Sequence, residues 1–357
     1  MLVVCVAAWA GIWFSGDPDS DEVLYRHGAA SAWKIWDGAW WSLITSAFVH
    51  VDLIHLFFNM YWLWILGRPM ERAVGSLRLF AFVVLAAFVS SAVELAVSDN
   101  AGIGFSGVLY ALFGFMWIAR RRYPAFLAVV TQQVVRILLA WLVLCFFLDA
   151  AGIWNIGNAA HVSGLAFGVL LGYAVLPTPK RAAAIAAVAV LTLASVVPPF
   201  WMPWSGYWAG YNASQAHSAK RYDDAVHWYR RALELGHHNP QWAWKNIAKI
   251  QYFGDEHEAL AQTLRDVRKF DSSVAERLRC AFEGYTAYKQ KRWKAAAHLY
   301  QRSLDLGEDM RFVAVGLVQA YTKLRDEKGR KWAIRRLRKL HPDVEVPPAA
   351  AEKEPAD

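Results

Sequence analysis

The sequence predicts an all-α protein in two parts: a polytopic bundle of membrane helices, then a soluble stack of helical repeats. Three observations carry this. Of 357 residues, 56% are hydrophobic and 19 are Trp, with a positive mean hydropathy, more apolar material than a soluble domain of this length needs. The long apolar runs fall in residues 1–200, whereas 215–345 are rich in Lys, Arg, Asp, Glu and Gln. Finally, YDDAVHWYRRALELG at 222–236 returns as WKAAAHLYQRSLDLG at 293–307. The expected organisation is a membrane domain over 1–200, an aromatic and Pro-rich linker over 201–211, repeats over 212–343, and a disordered acidic, Pro/Ala-rich tail over 344–357.

A membrane span takes about 20 mostly apolar residues. The candidates are 1–14, 51–67, 77–97, 101–119, 136–153, 157–176 and 182–200. The first is short, but no basic stretch precedes it as in a signal peptide, so it is read as a retained span. Arg68, Arg72 and Arg78, then Arg120, Arg121, Arg122 and Arg136, then Lys180 and Arg181 occupy alternate loops. The other loops hold Asp17, Asp19, Asp21, Glu22, Asp37 and Asp99 against only Arg26 and Lys34. Basic loops mark the cytoplasmic side, which puts the N-terminus inside and, with seven spans, the soluble half outside. If 182–200 does not cross, that half is cytoplasmic. The net charge of +8 is in the first half a topology signal, and nucleic acid is not an expected partner. Cys5, Cys145 and Cys280 are too scattered for a disulfide framework or a metal cluster.

Polar residues at membrane depth are costly, which makes each a functional hypothesis. His55 and Asn59 stand one helical turn apart in HVDLIHLFFN, so both project from one face. Two hydrogen-bond donors aimed at one point suit an oxyanion hole, and equally a polar pair bridging two helices. Ser106 lies in Gly104-Phe105-Ser106-Gly107, a glycine-flanked serine like a nucleophile elbow but without the preceding strand that such a motif requires. His161 precedes Gly164, Gly168 and Gly172, a small-residue strip that lets two membrane helices approach closely. A serine on the partner helix would come within reach of the imidazole, the base that a hydroxyl nucleophile needs. Tyr110, one turn after Ser106, is placed to pack against that ring.

Together these strings resemble the rhomboid family of intramembrane serine proteases. The resemblance covers residues 1–200 and rests on His50 with His55-xxx-Asn59, on Gly104-x-Ser106-Gly107 with Tyr110, and on His161-xx-Gly164-xxx-Gly168. It implies a six-helix core, here with a seventh span, and a Ser–His dyad without a carboxylate. Ser106 would attack the peptide carbonyl and His161 would act as base and then acid. His55, Asn59 and the Ser106 backbone N–H would hold the oxyanion, and Tyr110 would stack on His161. The implied partners are the lipid bilayer and single-span membrane protein substrates; no cofactor is implied. The expected location is a bacterial plasma (inner) membrane. One departure is visible: the family commonly carries Trp-Arg ahead of the first histidine, where this chain has Trp40-Trp41-Ser42.

In the soluble half, Ala225, Ala259, Ala296 and Ala333 recur at spacings of 34, 37 and 37, close to the 34-residue tetratricopeptide period. This half resembles three or four such repeats, whose stacked helix pairs form a concave surface for a protein partner. His237-His238 reads as a solvated helix end. Two other classes compete with a protease: a catalytically silent rhomboid-like binding or chaperone protein, and a haem or proton-relay protein using His50, His55 and His161.

Overall fold

The computed structural model describes residues 1–348, which divide into two compact units between Trp208 and Ala209. No strand occurs among the described residues.

The first unit opens with α1 (Leu2–Ser15), followed by α2 (Asp21–Arg26), α3 (Ala32–Trp36) and α4 (Ser42–Thr45). These short helices form the segment ahead of the second apolar run. Ser42 is an anchor: its buried hydroxyl accepts the Ala30 N–H at 2.7 Å. Thr45 Oγ1 donates to the Gly28 carbonyl at 2.5 Å. A 3-10 turn (Ser46–Phe48) then leads through a sharp bend of 95° into α5 (Leu53–Val74), whose first turn is capped by Asp52. The bundle continues with α6 (Ser76–Ser98), α7 (Ser106–Ala119), α8 (Gln132–Ala150), α9 (Asn158–Ala174) and α10 (Arg181–Ala194).

Helix α7 is central: Gly107 to Met116 are all buried, with α5, α6 and α9 packed around them. Large apolar side chains, among them Phe57, Trp64, Phe80, Phe147 and Leu193, instead point outward and are exposed. Such a surface associates in water and is what a helix bundle presents to lipid.

Each expected apolar run contains a helix, with three differences in extent. The run 101–119 stays a loop until Ser106, because Gly102 and Gly104 adopt φ of 69° and 102°, incompatible with a right-handed helix. The run 51–67 continues through Pro69 to Val74. The run 182–200 stops at Ala194, and the buried Pro198 and Pro199 just beyond have no N–H with which to extend it. By length and apolarity, α6 and α8 each suffice to cross a membrane, and α5 joined to 42–48 makes a bent third; α1, α7 and α10 are shorter apolar helices.

The second unit, which begins within α11 (Gly206–Ser218), consists of paired helices: α11 with α12 (Tyr222–Glu234), α13 (Pro240–Phe253) with α14 (His257–Phe270), α15 (Ser272–Lys289) with α16 (Trp293–Asp305), and α17 (Arg311–Lys323) with α18 (Glu327–Leu340). Helix α11 starts inside the expected 201–211 linker. Lys220, Asp255, Lys291 and Arg325 turn each pair with nearly identical positive φ of 59°, 58°, 59° and 56°, so the same turn is built four times. Ala225, Ala296 and Ala333 are buried and Ala259 is partly so. Tyr300 wedges between α15 and α17, where a Cβ on Gly284 or Gly316 would fall 2.8 or 2.7 Å from its ring.

His237 corrects the expectation of a solvated helix end. It is buried, stacked on Trp242 with ring centroids 5.3 Å apart, and accepts the Asn239 N–H on Nδ1 at 3.0 Å. Burial, then the neighbouring His238, pulls its pKa below the usual histidine value. The start of the expected 344–357 tail is also packed, with Val344 buried and the Pro347 carbonyl accepting from Arg330 at 3.0 Å. The rest of that tail, 349–357, lies outside the described residues.

Candidate active site

The loop 99–105 delivers Ser106 to the first position of α7. Asp99 ends α6 in a left-handed conformation, φ 57°, and Gly104 holds φ 102°. A Cβ on Gly104 would also fall 2.5 Å from Cε1 and 2.7 Å from Nε2 of His55, so glycine is required there for both conformation and space. Two bonds fix the loop end. The Gly104 N–H donates to the Ser46 carbonyl at 3.0 Å, and the Phe105 N–H donates to His50 Nε2 at 3.3 Å. His50 Nδ1 in turn bonds the Phe48 carbonyl at 3.3 Å. One ring nitrogen accepting and the other donating define a neutral imidazole protonated at Nδ1. His50 thus holds the backbone immediately ahead of Ser106. As the first residue of α7, Ser106 carries one of the N–H groups that find no carbonyl within their own helix, at the positive end of the helix dipole.

Helix α9 brings His161 alongside. Added methyl groups on Gly164 and Gly168 would overlap the carbonyl oxygens of Gly107 and Ala111, so the two backbones are in direct contact. Across this seam His161 Nε2 lies 2.8 Å from Ser106 Oγ. His161 is 5% exposed, and among the described residues its Nδ1 has no hydrogen-bond partner. Tyr110 packs against the imidazole with ring centroids 4.9 Å apart and planes tilted by 39°. Its hydroxyl donates to the Leu138 carbonyl of α8 at 3.1 Å, which ties the ring to a third helix.

His55 meets the serine loop through Gly104 and sits edge-on to His50, centroids 5.0 Å apart. Asn59, one turn further along α5, is buried; its amide donates to the His55 carbonyl at 3.0 Å. That uses one of its two N–H donors.

Two carboxylates near the seam were not anticipated from sequence. Glu94, 5% exposed on α6, accepts the Ala160 N–H at 2.8 Å, in the first turn of the helix that carries His161. Asp149 accepts from the Ile156 N–H at 3.2 Å and the Asn158 side chain at 3.1 Å. Acidic groups at a helix N-terminus satisfy its orphan donors and suit its dipole. Glu94 carried a readable signal, being an acid within an apolar run.

The first unit is thus a helical bundle with an apolar outer surface, as in an integral membrane protein, that pairs a serine with an imidazole beside His55 and Asn59; among the described residues no carboxylate bonds that imidazole. Comparison with known proteins is more particular. Residues 37–178 match the Rhomboid domain family. The chain is 38% identical over 133 residues to the rhomboid protease GlpG of Serratia proteamaculans (strain 568), covering 37% of this chain and 47% of that protein. It is 31% identical over 174 residues to the rhomboid protease GlpG of Yersinia pseudotuberculosis serotype I (strain IP32953), covering 48% and 60% respectively. The chain thus spans about half the length of the curated relatives it matches. These matches support the rhomboid family for the membrane unit.

Proposed function

We propose that this chain is an intramembrane serine endopeptidase that cleaves membrane protein substrates with Ser106 as nucleophile and His161 as base. The observation that carries the reading is the 2.8 Å approach of Ser106 Oγ to His161 Nε2, inside the stretch that matches the Rhomboid domain. Nε2 takes the hydroxyl proton as Oγ bonds to the carbonyl carbon of the scissile peptide. The tetrahedral oxyanion is stabilised by the Ser106 N–H, His55 and the remaining amide donor of Asn59. His161 then gives its proton to the leaving amine, the C–N bond breaks, and an acyl-enzyme remains. A water, deprotonated by His161, attacks the ester and restores the serine.

The substrate class is single-span membrane proteins cut in or near the membrane segment, and the location is a bacterial inner membrane. The second unit is read as tetratricopeptide-like, holding a protein partner or substrate on a concave face. The alternation of basic and acidic loops, with seven spans, is what supports placing the second unit on the non-cytoplasmic side. The alternative of a catalytically silent binding protein is favoured by none of these contacts.

The test is cleavage of a fluorescent single-span substrate by the full chain in liposomes, comparing the parent with Ser106→Ala and His161→Ala. Cleavage by the parent alone supports the reading; equal cleavage by all three, or none by the parent, contradicts it.

A further inference from the structure

Residues 198–207 lie beyond the stretch that matches the Rhomboid domain and fold back on the first unit as a strap. On one side, the Trp36 indole N–H donates to the Pro198 carbonyl at 3.1 Å. Phe200 meets Trp40 edge-on at 4.8 Å, and Tyr207 lies 5.8 Å from Trp33 and 5.9 Å from Trp36. On the other side, the Trp204 indole N–H donates to the Ala96 carbonyl at 2.9 Å. The Ser205 hydroxyl donates to Asp99 Oδ1 at 2.5 Å. Met202, between these anchors, is fully buried.

We propose that this strap positions the nucleophile, with Trp204 and Ser205 as the positioning residues. Asp99 opens the loop that ends at Ser106, and that loop holds two glycines at positive φ. Glycines leave a chain its widest conformational choice, so a loop tethered at one end would spread Ser106 over many placements. Ser46 and His50 fix the end of the loop; Ala96 and Asp99, held by the strap, fix its beginning. The strap is thereby a part of the serine site contributed by the chain after the last membrane helix. The proposal rests on the reading of Ser106 as nucleophile, but the placement of the loop is measurable without catalysis.

The experiment uses the full chain in bilayers and the double variant Trp204→Phe, Ser205→Ala, which keeps an aromatic ring and removes both polar anchors. Hydrogen–deuterium exchange of the amides of residues 100–105 is the first readout, and kcat and KM on a single-span substrate are the second. The expected result is faster exchange in 100–105 and a kcat lower by roughly tenfold to a hundredfold, with KM and the thermal midpoint nearly unchanged. Trp36→Phe, which frees the other side of the strap, is the second variant, expected to act in the same direction with smaller amplitude. Unchanged exchange in 100–105 in both variants overturns the proposal. If Ser106→Ala still cleaves, the catalytic reading fails instead, and exchange still decides the role of the strap.

Discussion

Adding a single methyl group at successive glycines of α9 probes how the dyad is held. At Gly164 the new Cβ would overlap the Gly107 carbonyl oxygen and lie 3.0 Å from its carbonyl carbon and 3.3 Å from its Cα. Non-bonded carbons rest at about 3.5–4.0 Å, and the obstacle is backbone, which cannot rotate aside. To relieve the overlap with the oxygen the helices must part by about 1 Å at the level of Gly107, next to Ser106. A 2.8 Å hydrogen bond lengthened by that much passes the limit beyond which it ceases to count as one, and a misplacement of about 1 Å costs about a hundredfold in rate. Gly164→Ala should therefore lower kcat about a hundredfold. Overpacking of this kind also costs about 1–3 kcal/mol of stability. At Gly172 the same methyl meets Ile118 Cβ at 2.8 Å and Cγ2 at 3.2 Å, and the Phe115 carbonyl oxygen at 3.2 Å. Ile118 Cβ is fixed by its own backbone and must also give way, but Gly172 lies about two helical turns beyond Gly164, away from the Ser106–His161 pair, so Gly172→Ala should retain activity within a fewfold of the parent. The assay is kcat on a reconstituted single-span substrate, alongside thermal unfolding of each variant. Parental kcat in a folded Gly164→Ala protein, or equal losses at both positions, would refute the claim that this seam sets the dyad distance.

Other perturbations follow from the same geometry. Tyr110→Phe removes the hydroxyl bonded to Leu138 but keeps the ring on His161, so stability should fall by about 1–3 kcal/mol and kcat only a fewfold; a circular-dichroism melt and a rate measurement check both. Glu94→Ala strips the acceptor of the Ala160 N–H and should reduce kcat about tenfold or more, while Glu94→Gln, which keeps a side-chain oxygen, should recover most of it. In the second unit the buried His237 resists protonation in the folded state, whereas the unfolded chain takes up a proton below the ordinary value of 6.5. Its contribution to stability is thus complete above about pH 6.5 and lost as the pH falls below that value. Denaturant unfolding of the parent and His237→Gln between pH 8 and 5 should show the two curves converging on the acid side.

The approach of Ser106 to His161 was legible because these residue types cannot hide in apolar runs: His161 and its glycine strip predict a close partner helix, and the GxSG string supplies a serine. Helix phase put Tyr110 on the same face as Ser106, but it says nothing of the Leu138 carbonyl that the hydroxyl bonds. Backbone partners leave no mark on sequence, which also concealed how His50 holds Phe105. The late start of α7 was masked because AGIGF reads as apolar, and only the positive φ of its glycines keeps it out of the helix. Glu94 passed unnoticed as one acid among many aliphatic residues. In the second unit the uneven alanine spacing blurred two of the repeats. The structural regularity lies in the turns at Lys220, Asp255, Lys291 and Arg325, residue types that do not announce a left-handed conformation.

The central claim, that Ser106 is a nucleophile activated by His161, is tested most directly by covalent labelling. The full chain in bilayers is treated with a fluorophosphonate and the adduct is located by peptide mass spectrometry. The account predicts a single adduct on Ser106 in the parent, lost when His161 is replaced by Ala. An adduct elsewhere, or labelling of Ser106 undiminished in His161→Ala, would contradict it.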